Sequence, residues 1–307
     1  MQAVRAFLLA ALAEAIACLA PGRPVSDDDV HRLRKALKRA RAALRLLRHA
    51  LGENRFRTEN VLLRDTGRAF AAVRDRASLI EALDRLGASH GGRAHQRQIG
   101  QTDPVRRILQ GRRAGARRAF LRSAAADAAR ALKSCQRRVA RWMSSRTARA
   151  DIPGDLGRIY RRGRRAFALA SRTRAPEALH EWRKQVKYLQ NALLALCGGR
   201  HKGAYATAAR FLKDAAQLAE ALGEEHDLAA LARELHDPAY SGAGRASLEF
   251  LLALIRRERR KRGKRMLSIG RHLFVRGPAR FLSHLSMPAP GPGGKPKPSS
   301  RACARAP

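Results

Sequence analysis

The chain has 307 residues, a length at which a single hydrophobic core nears its limit and two units become possible. Lys and Arg number 64 against 25 Asp and Glu, a formal net charge of +39, so the compact state repels itself unless a polyanion or many counterions neutralise it. A cationic partner is thereby practically excluded and an acidic one expected.

Only 5% of residues are aromatic. Cys18, Cys135, Cys197 and Cys303 stand far apart with no CxxC pair, which argues against a zinc site or disulfide scaffold and for a reducing compartment. The first three lie among Ala and Leu and read as small core residues.

Val, Ile and Thr together make 23 residues, too few for a sheet protein, whereas the helix formers Ala, Leu and Arg dominate. Helical patterns run over 3–20, 27–51, 58–86, 104–143, 155–171, 176–197, 203–222, 225–236, 245–269 and 278–286. The first includes an apolar stretch, Phe7 to Ala20, that Glu14 interrupts and only Arg5 precedes as a charge. That is a poor secretion signal, and it reads as an ordinary first helix of a cytoplasmic protein. Ser26 followed by Asp27, Asp28 and Asp29 caps the second helix with acidic charge where the helix dipole favours it. Pro176 opens the sixth. Gly52, Pro153-Gly154 and Gly198-Gly199 mark turns, and Phe120, Phe167, Phe211 and Phe250 read as core. No run of 18 apolar residues is present, so no membrane span is expected. Residues 288–307 are rich in Pro and Gly with scattered cations and read as a disordered basic tail.

The sequence repeats. Residues 30–47, VHRLRKALKRARAALRLL, and 179–196, LHEWRKQVKYLQNALLAL, both carry H-x-x-R-K-x-x-K. The first copy is His31, Arg34, Lys35 and Lys38; the second is His180, Arg183, Lys184 and Lys187. At the same offset Arg64 aligns with Lys213, and with a three-residue insertion Arg74 aligns with His226. The halves are therefore expected to be 1–150 and 151–287, each a bundle of about four helices.

Positions i, i+3, i+4 and i+7 share one helix face. Here that face carries an imidazole and three cations, while Leu33, Leu37, Leu44 and Leu47, and in the second half Trp182, Val186, Leu189, Leu193 and Leu196, form separate apolar stripes. Like charges at that spacing cost a few tenths of a kcal/mol per pair, about 0.2–0.5. Building the pattern twice points to a purpose for converging positive charge. Arg256 to Arg265 and residues 104–122 are also strongly basic but lack a repeated register, and read as general field. Asp65, Asp75, Asp214 and Asp227 are expected to orient or partly neutralise the cluster.

Three features together resemble the CHAD family, the conserved histidine α-helical domain: the two His-centred helices, the segment LAEALGEEHDLAAL (218–231), and YRRGRRAFALASRTRAPEALHEWRKQVKYL (160–189). The resemblance runs from about residue 3 to 286. It implies an all-α fold of two pseudo-symmetric helical bundles around a basic central cavity, binding of inorganic polyphosphate, and residence on polyphosphate granules in the bacterial cytoplasm. By position it assigns His31, Arg34, Lys35, Lys38, His180, Arg183, Lys184 and Lys187 to the phosphate site, with Arg64, Arg74, Lys213 and His226 as further lining. Gln190 and Asn191 depart from the family's basic or aromatic pattern, and residues 87–103 look more loop-like than usual. The CYTH domain that often accompanies the family has no room in this chain.

The chemistry agrees with such a ligand. A phosphate chain offers repeated charge and no bases, so it calls for Arg forks, Lys point charges and His donors, with affinity that falls steeply with salt. Nonspecific nucleic-acid binding is the alternative that the charge alone supports, although the repeated stripe lacks interleaved aromatics for stacking. An enzyme is the lesser alternative: His31 or His180 as a phosphotransfer residue, or His226-Asp227 and His236-Asp237 as parts of a metal-dependent phosphohydrolase site. The basic lining lacks the carboxylate cluster that would hold Mg²⁺. The sequence thus leads to a binding protein with no catalytic residue, metal or cofactor.

Overall fold

In the computed structural model, residues 1–21, 25–88, 103–120, 124–142, 151–197, 206–285 and 287 are described. Among them the chain is helical, with no strand. The helices are α1 (Gln2–Ala17), α2 (Asp27–Leu46), α3 (Arg48–Leu51), α4 (Glu53–Ala69), α5 (Ala71–Ala88), α6 (Asp103–Phe120) and α7 (Ala124–Trp142). They continue with α8 (Ile152–Thr173), α9 (Pro176–Cys197), α10 (Ala206–Glu234), α11 (Arg245–Phe274) and α12 (Pro278–His284), with a 3₁₀ turn at Pro238–Ala243 before α11.

The capping signals act where expected. Ser26 Oγ accepts from the Asp29 amide at 3.0 Å while the Asp29 carboxylate accepts from the Ser26 amide, a reciprocal box that starts α2. Pro176 begins α9. Both predicted apolar stripes are buried, the first through Leu33, Leu37, Leu44 and Leu47 and the second through Trp182, Val186, Leu189, Leu193 and Leu196. Cys18 and Cys135 lie in the core and Cys197 at its edge.

Helix boundaries differ from the sequence pattern in four places, the first being the expected helix over 27–51, which breaks at Leu47 into α2 and α3. The expected helix over 58–86 is two helices, because Phe70 turns inward to full burial and redirects the chain. The expected helix over 104–143 is α6 and α7, with 121–123 outside the described residues. In the other direction, the two helices expected over 203–222 and 225–236 are replaced by one continuous helix, α10 over Ala206–Glu234, in which burial of Leu218, Leu222, Leu228 and Leu231 outweighs the roughly 1 kcal/mol cost of Gly223. The greater part of the loop-like stretch 87–103, and the whole of 288–307, lie outside the described residues.

Two apolar clusters hold the molecule together. The larger joins α1, α2, α4, α7, α8, α9 and α12 with the first half of α10 and the last part of α11. The smaller joins α5, α6, the end of α10, the 3₁₀ turn and the start of α11. Each draws on both halves of the sequence. The long helices α10 and α11 pass from one cluster to the other, and polar residues occupy the crossing. On one side, Arg259 pairs with the buried Glu225 at 2.7 Å, and Arg262 pairs with Glu224 at 2.9 Å and with Glu258. On the other side, His226 and Asp227 of α10 turn toward the His-centred helices.

Candidate anion-binding site

The two H-x-x-R-K-x-x-K helices, α2 and α9, pack directly against one another. Their apolar stripes are committed to the core, which turns the basic stripes together into a seam bordered by α5 and α10. The electrostatics record this convergence. Burial first, and then Arg183, Arg34, Lys187 and Arg74, push the Lys38 ammonium down to about 7. Burial, Arg183 and Lys35 likewise lower Lys187. Arg34 is lowered by burial and by Arg74 and Arg183, with Asp75 opposing. Arg183 is lowered by burial. Cations contributed by each half thus press on those of the other. Lys38 is enclosed on most sides yet remains accessible to water. That combination describes a side chain lining an open cleft.

The histidines frame the seam. His180 and His226 lie with ring centroids 5.3 Å apart, and burial, Arg183 and His180 push His226 down to about 4. His31 is lowered by burial and then by Arg74. His180 is lowered by burial, Arg183 and Lys184. All three are therefore neutral imidazoles at neutral pH; His31 sits near Arg74 and His180 against His226, and Arg74 and His226 are themselves aligned in the repeat.

Carboxylates hold the frame without filling it. Arg34 donates to the Gly67 carbonyl at 2.6 Å and lies 3.7 Å from Asp75. Arg74 binds Glu81 through two bonds of 2.8 and 2.9 Å, and Asp227 accepts from Arg85 at 3.0 Å. Arg183 Nε is buried with no hydrogen-bond partner among the described residues. A donor of that kind, left dry and unpaired, costs roughly 1–3 kcal/mol or more.

Of the residues singled out from the sequence, Arg34, Lys38, Arg74, His180, Arg183, Lys187 and His226 meet in the seam, with His31 and Lys35 at its rim. Lys184 also lies at the rim, exposed and paired with Glu181. Arg64 lies apart: exposed on α4, it grips Asp65 at 2.8 Å and neighbours Arg41. Lys213 is exposed on α10, about 20 Å along the helix from His226 at 1.5 Å per residue. Asp65 and Asp214 are likewise drawn away, by Arg64 and by His272 at 3.9 Å.

The sequence reading passed over Arg233, Arg85 and Glu81. Arg233 stands seven residues after His226, on the same face, and acts on both seam histidines of the second half. His236 has its ring nitrogen 2.6 Å from the Ala232 carbonyl, and Asp237 caps the 3₁₀ turn and pairs with Arg112, so this His-Asp pair is taken up in structural contacts. Two further basic clefts open to solvent on surfaces whose lining includes none of the seam cations. One is lined by Arg45, Arg48, Arg158 and Arg162; the other, about 590 Å³, is bounded by Arg161, Arg164, Arg165 and Phe274. The seam itself is defined by the charge of Arg34, Lys38, Arg183 and Lys187 converging on it.

Fold and site together define an all-helical protein whose two repeated basic helices meet in a water-accessible cationic seam, able to neutralise and hydrogen-bond a multiply charged anion. The chain belongs to the CHAD domain family, whose pattern matches residues 6–236. Its fold is similar to that of PptA from Streptomyces chartreusis, with TM-score 0.59 and 18% identity over 89% of this chain and 97% of that one. It is similar as well to the CHAD domain from the plant Ricinus communis, with TM-score 0.59 and 19% identity over 90% of this chain and 92% of that one. No curated protein sequence matches it. No helix among the described residues is long and apolar enough to cross a membrane.

Proposed function

We propose that this protein binds inorganic polyphosphate along the α2–α9 seam, as a non-enzymatic, cytoplasmic protein associated with polyphosphate granules. The observation that carries the reading is the meeting of Arg34 and Lys38 with Arg183 and Lys187, in a place where burial opposes every one of those charges and neighbouring cations further oppose Arg34, Lys38 and Lys187. A polyanion supplies the missing countercharge and an acceptor for Arg183 Nε. Membership of a family linked to polyphosphate binding supports the same ligand. In this reading each half of the sequence, 1–150 and 151–287, contributes one His-centred helix to a shared site.

Nonspecific nucleic-acid binding is the second reading, favoured by the exposed cations Arg256, Arg257, Arg260 and Lys261 on α11. The two separate by substitution. Charge-assisted contacts are worth about 1.5 kcal/mol or more each, so replacing Lys38, Arg183 and Lys187 with Ala is expected to weaken polyphosphate binding by over about a hundredfold. Replacing Arg256, Arg257 and Arg260 is expected to cost under about tenfold. Equal losses from the two sets would leave only bulk charge and reject a specific site.

A further inference from the structure

Helix α8 contributes no residue to the seam, yet one of its faces is strongly basic. Arg161, Arg164, Arg165 and Ala168 stand three and four residues apart there and are all exposed. With Phe167, and with Phe274 from the end of α11, they line the cleft of about 590 Å³. That volume falls within the range of ligand clefts, about 300–1,000 Å³. Phe274 lies beyond residues 6–236, so one wall of the cleft falls outside what the family pattern describes.

The cleft is built in advance of any occupant. Gly163 makes room for the Phe274 ring, since a Cβ there would come 2.8 Å from Phe274 Cε1. Arg164 Nε donates to the Phe274 carbonyl at 3.3 Å, and the Tyr160 hydroxyl lies 3.0 Å from the carbonyls of Leu273 and Arg276. These contacts tie the junction of α11 and α12 to α8. Phe167 packs between Trp182 and Phe274, with ring centroids 5.1 and 5.9 Å away. Walls held in this way lose little freedom when something binds between them.

The lining is mixed in character. Arg161 and Arg165 have no ion pair among the described residues, Arg164 bonds to a neutral carbonyl, and no carboxylate lines the cleft. A bare inorganic chain would use the cations and leave the rings idle, whereas an apolar molecule would do the reverse. A protein segment with Asp or Glu around an aromatic or branched apolar side chain uses both. This chain does not supply it. Residues 288–307 carry Lys295, Lys297, Arg301 and Arg305 with no acid, and a second copy brings a further +39 against the first.

We infer that the cleft between α8 and the end of α11 is a docking surface for an acidic segment of a partner protein. The segment seats an apolar side chain against Phe167 and Phe274 and sets its carboxylates against Arg161, Arg164 and Arg165. This surface stands independently of the polyphosphate reading, since none of the seam cations lines it.

Two fluorescein-labelled peptides test it: glutamates interspersed with phenylalanine, and a control with serine in place of each phenylalanine. Both are titrated by fluorescence anisotropy at about 150 mM salt, where long-range attraction is largely screened. Wild type is expected to bind the phenylalanine peptide about tenfold or more tighter than the control. Ala168→Glu sets a carboxylate at an exposed position of the cleft, and is expected to weaken the phenylalanine peptide by about tenfold or more while leaving the melting temperature in place. Arg161→Gln/Arg165→Gln, also at exposed positions, is expected to weaken it by about fivefold or more. Ala253→Glu and Arg257→Gln/Arg260→Gln make the same charge changes on the exposed face of α11, and are expected to weaken it by under about twofold. No binding of the phenylalanine peptide by wild type, equal affinity for the two peptides, or equal losses from the cleft and α11 variants would overturn the docking surface.

Discussion

Lys38 places stability and binding in opposition. Its ammonium is pushed from an ordinary 10.5 down to about 7, by burial first and then by Arg183, Arg34 and Lys187. A depressed folded-state value means that the unfolded chain binds the extra proton across that window. The free protein is therefore free of the penalty above about pH 10.5, loses stability as pH falls, and carries the full penalty below about pH 7. At 1.36 kcal/mol per unit, the span would amount to about 4–5 kcal/mol, and the water that reaches Lys38 screens this to about 1–2 kcal/mol. Lys38→Met keeps the length of the side chain and removes the charge. Chemical denaturation of both forms between pH 6 and about 10 is expected to show the variant more stable by that amount near neutrality, with the gap closing as pH rises. The same variant should bind polyphosphate more weakly, and saturating polyphosphate should stabilise wild type more than the variant. A gap that is flat with pH, or a variant less stable than wild type at neutral pH, would refute the crowding of charge around Lys38.

His226, pushed to about 4, is expected to stay neutral in the free protein at pH 6 and to shift upward by about one unit or more when polyphosphate neutralises Arg183 beside it, which nitrogen-detected NMR of the imidazole would follow. An unmoved titration on saturation would place the ligand elsewhere. Gly270 lies where a Cβ would come 2.5 Å from Trp182 Cζ2 and 2.8 Å from Phe167 Cε2, both ring atoms that cannot swing aside. Gly270→Ala is therefore expected to cost about 1–3 kcal/mol, measurable as a lower melting temperature, and a variant as stable as wild type would contradict this packing of α11 on α8 and α9.

The helices and the pairing of the basic stripes were legible in the sequence because both rest on local periodicity. The spacing that commits Leu33 and Leu37 to the core also fixes the direction of Arg34 and Lys38, and the second copy repeats the statement with Trp182 and Val186. The breaks were less legible. Phe70 ends α4 because it finds a place in the core, and Gly223 stays inside α10 because its neighbours are buried on both sides; each is a tertiary effect that overrides local propensity. Arg64 and Lys213 align in the repeat and yet lie outside the seam, since alignment gives a position along a helix while Asp65 and solvent decide where a long side chain goes. Arg41 and Arg45 carried a visible signal, the same three-and-four spacing, but their engagement with Tyr188 depends on how α2 crosses α9.

The central claim, a site shaped for phosphate chains, meets its most direct test in competition at about 150 mM salt, where long-range field effects are largely screened. Wild-type protein held on labelled long-chain polyphosphate would be challenged with single-stranded RNA, double-stranded DNA and heparin at equal charge concentration. Polyphosphate retained with a preference of about tenfold or more is the expected result, because the seam gathers cationic donors from both repeated helices and its stripe lacks interleaved aromatics for stacking bases. Displacement by all three competitors in simple proportion to their charge would contradict it, and would make the protein a general polyanion binder.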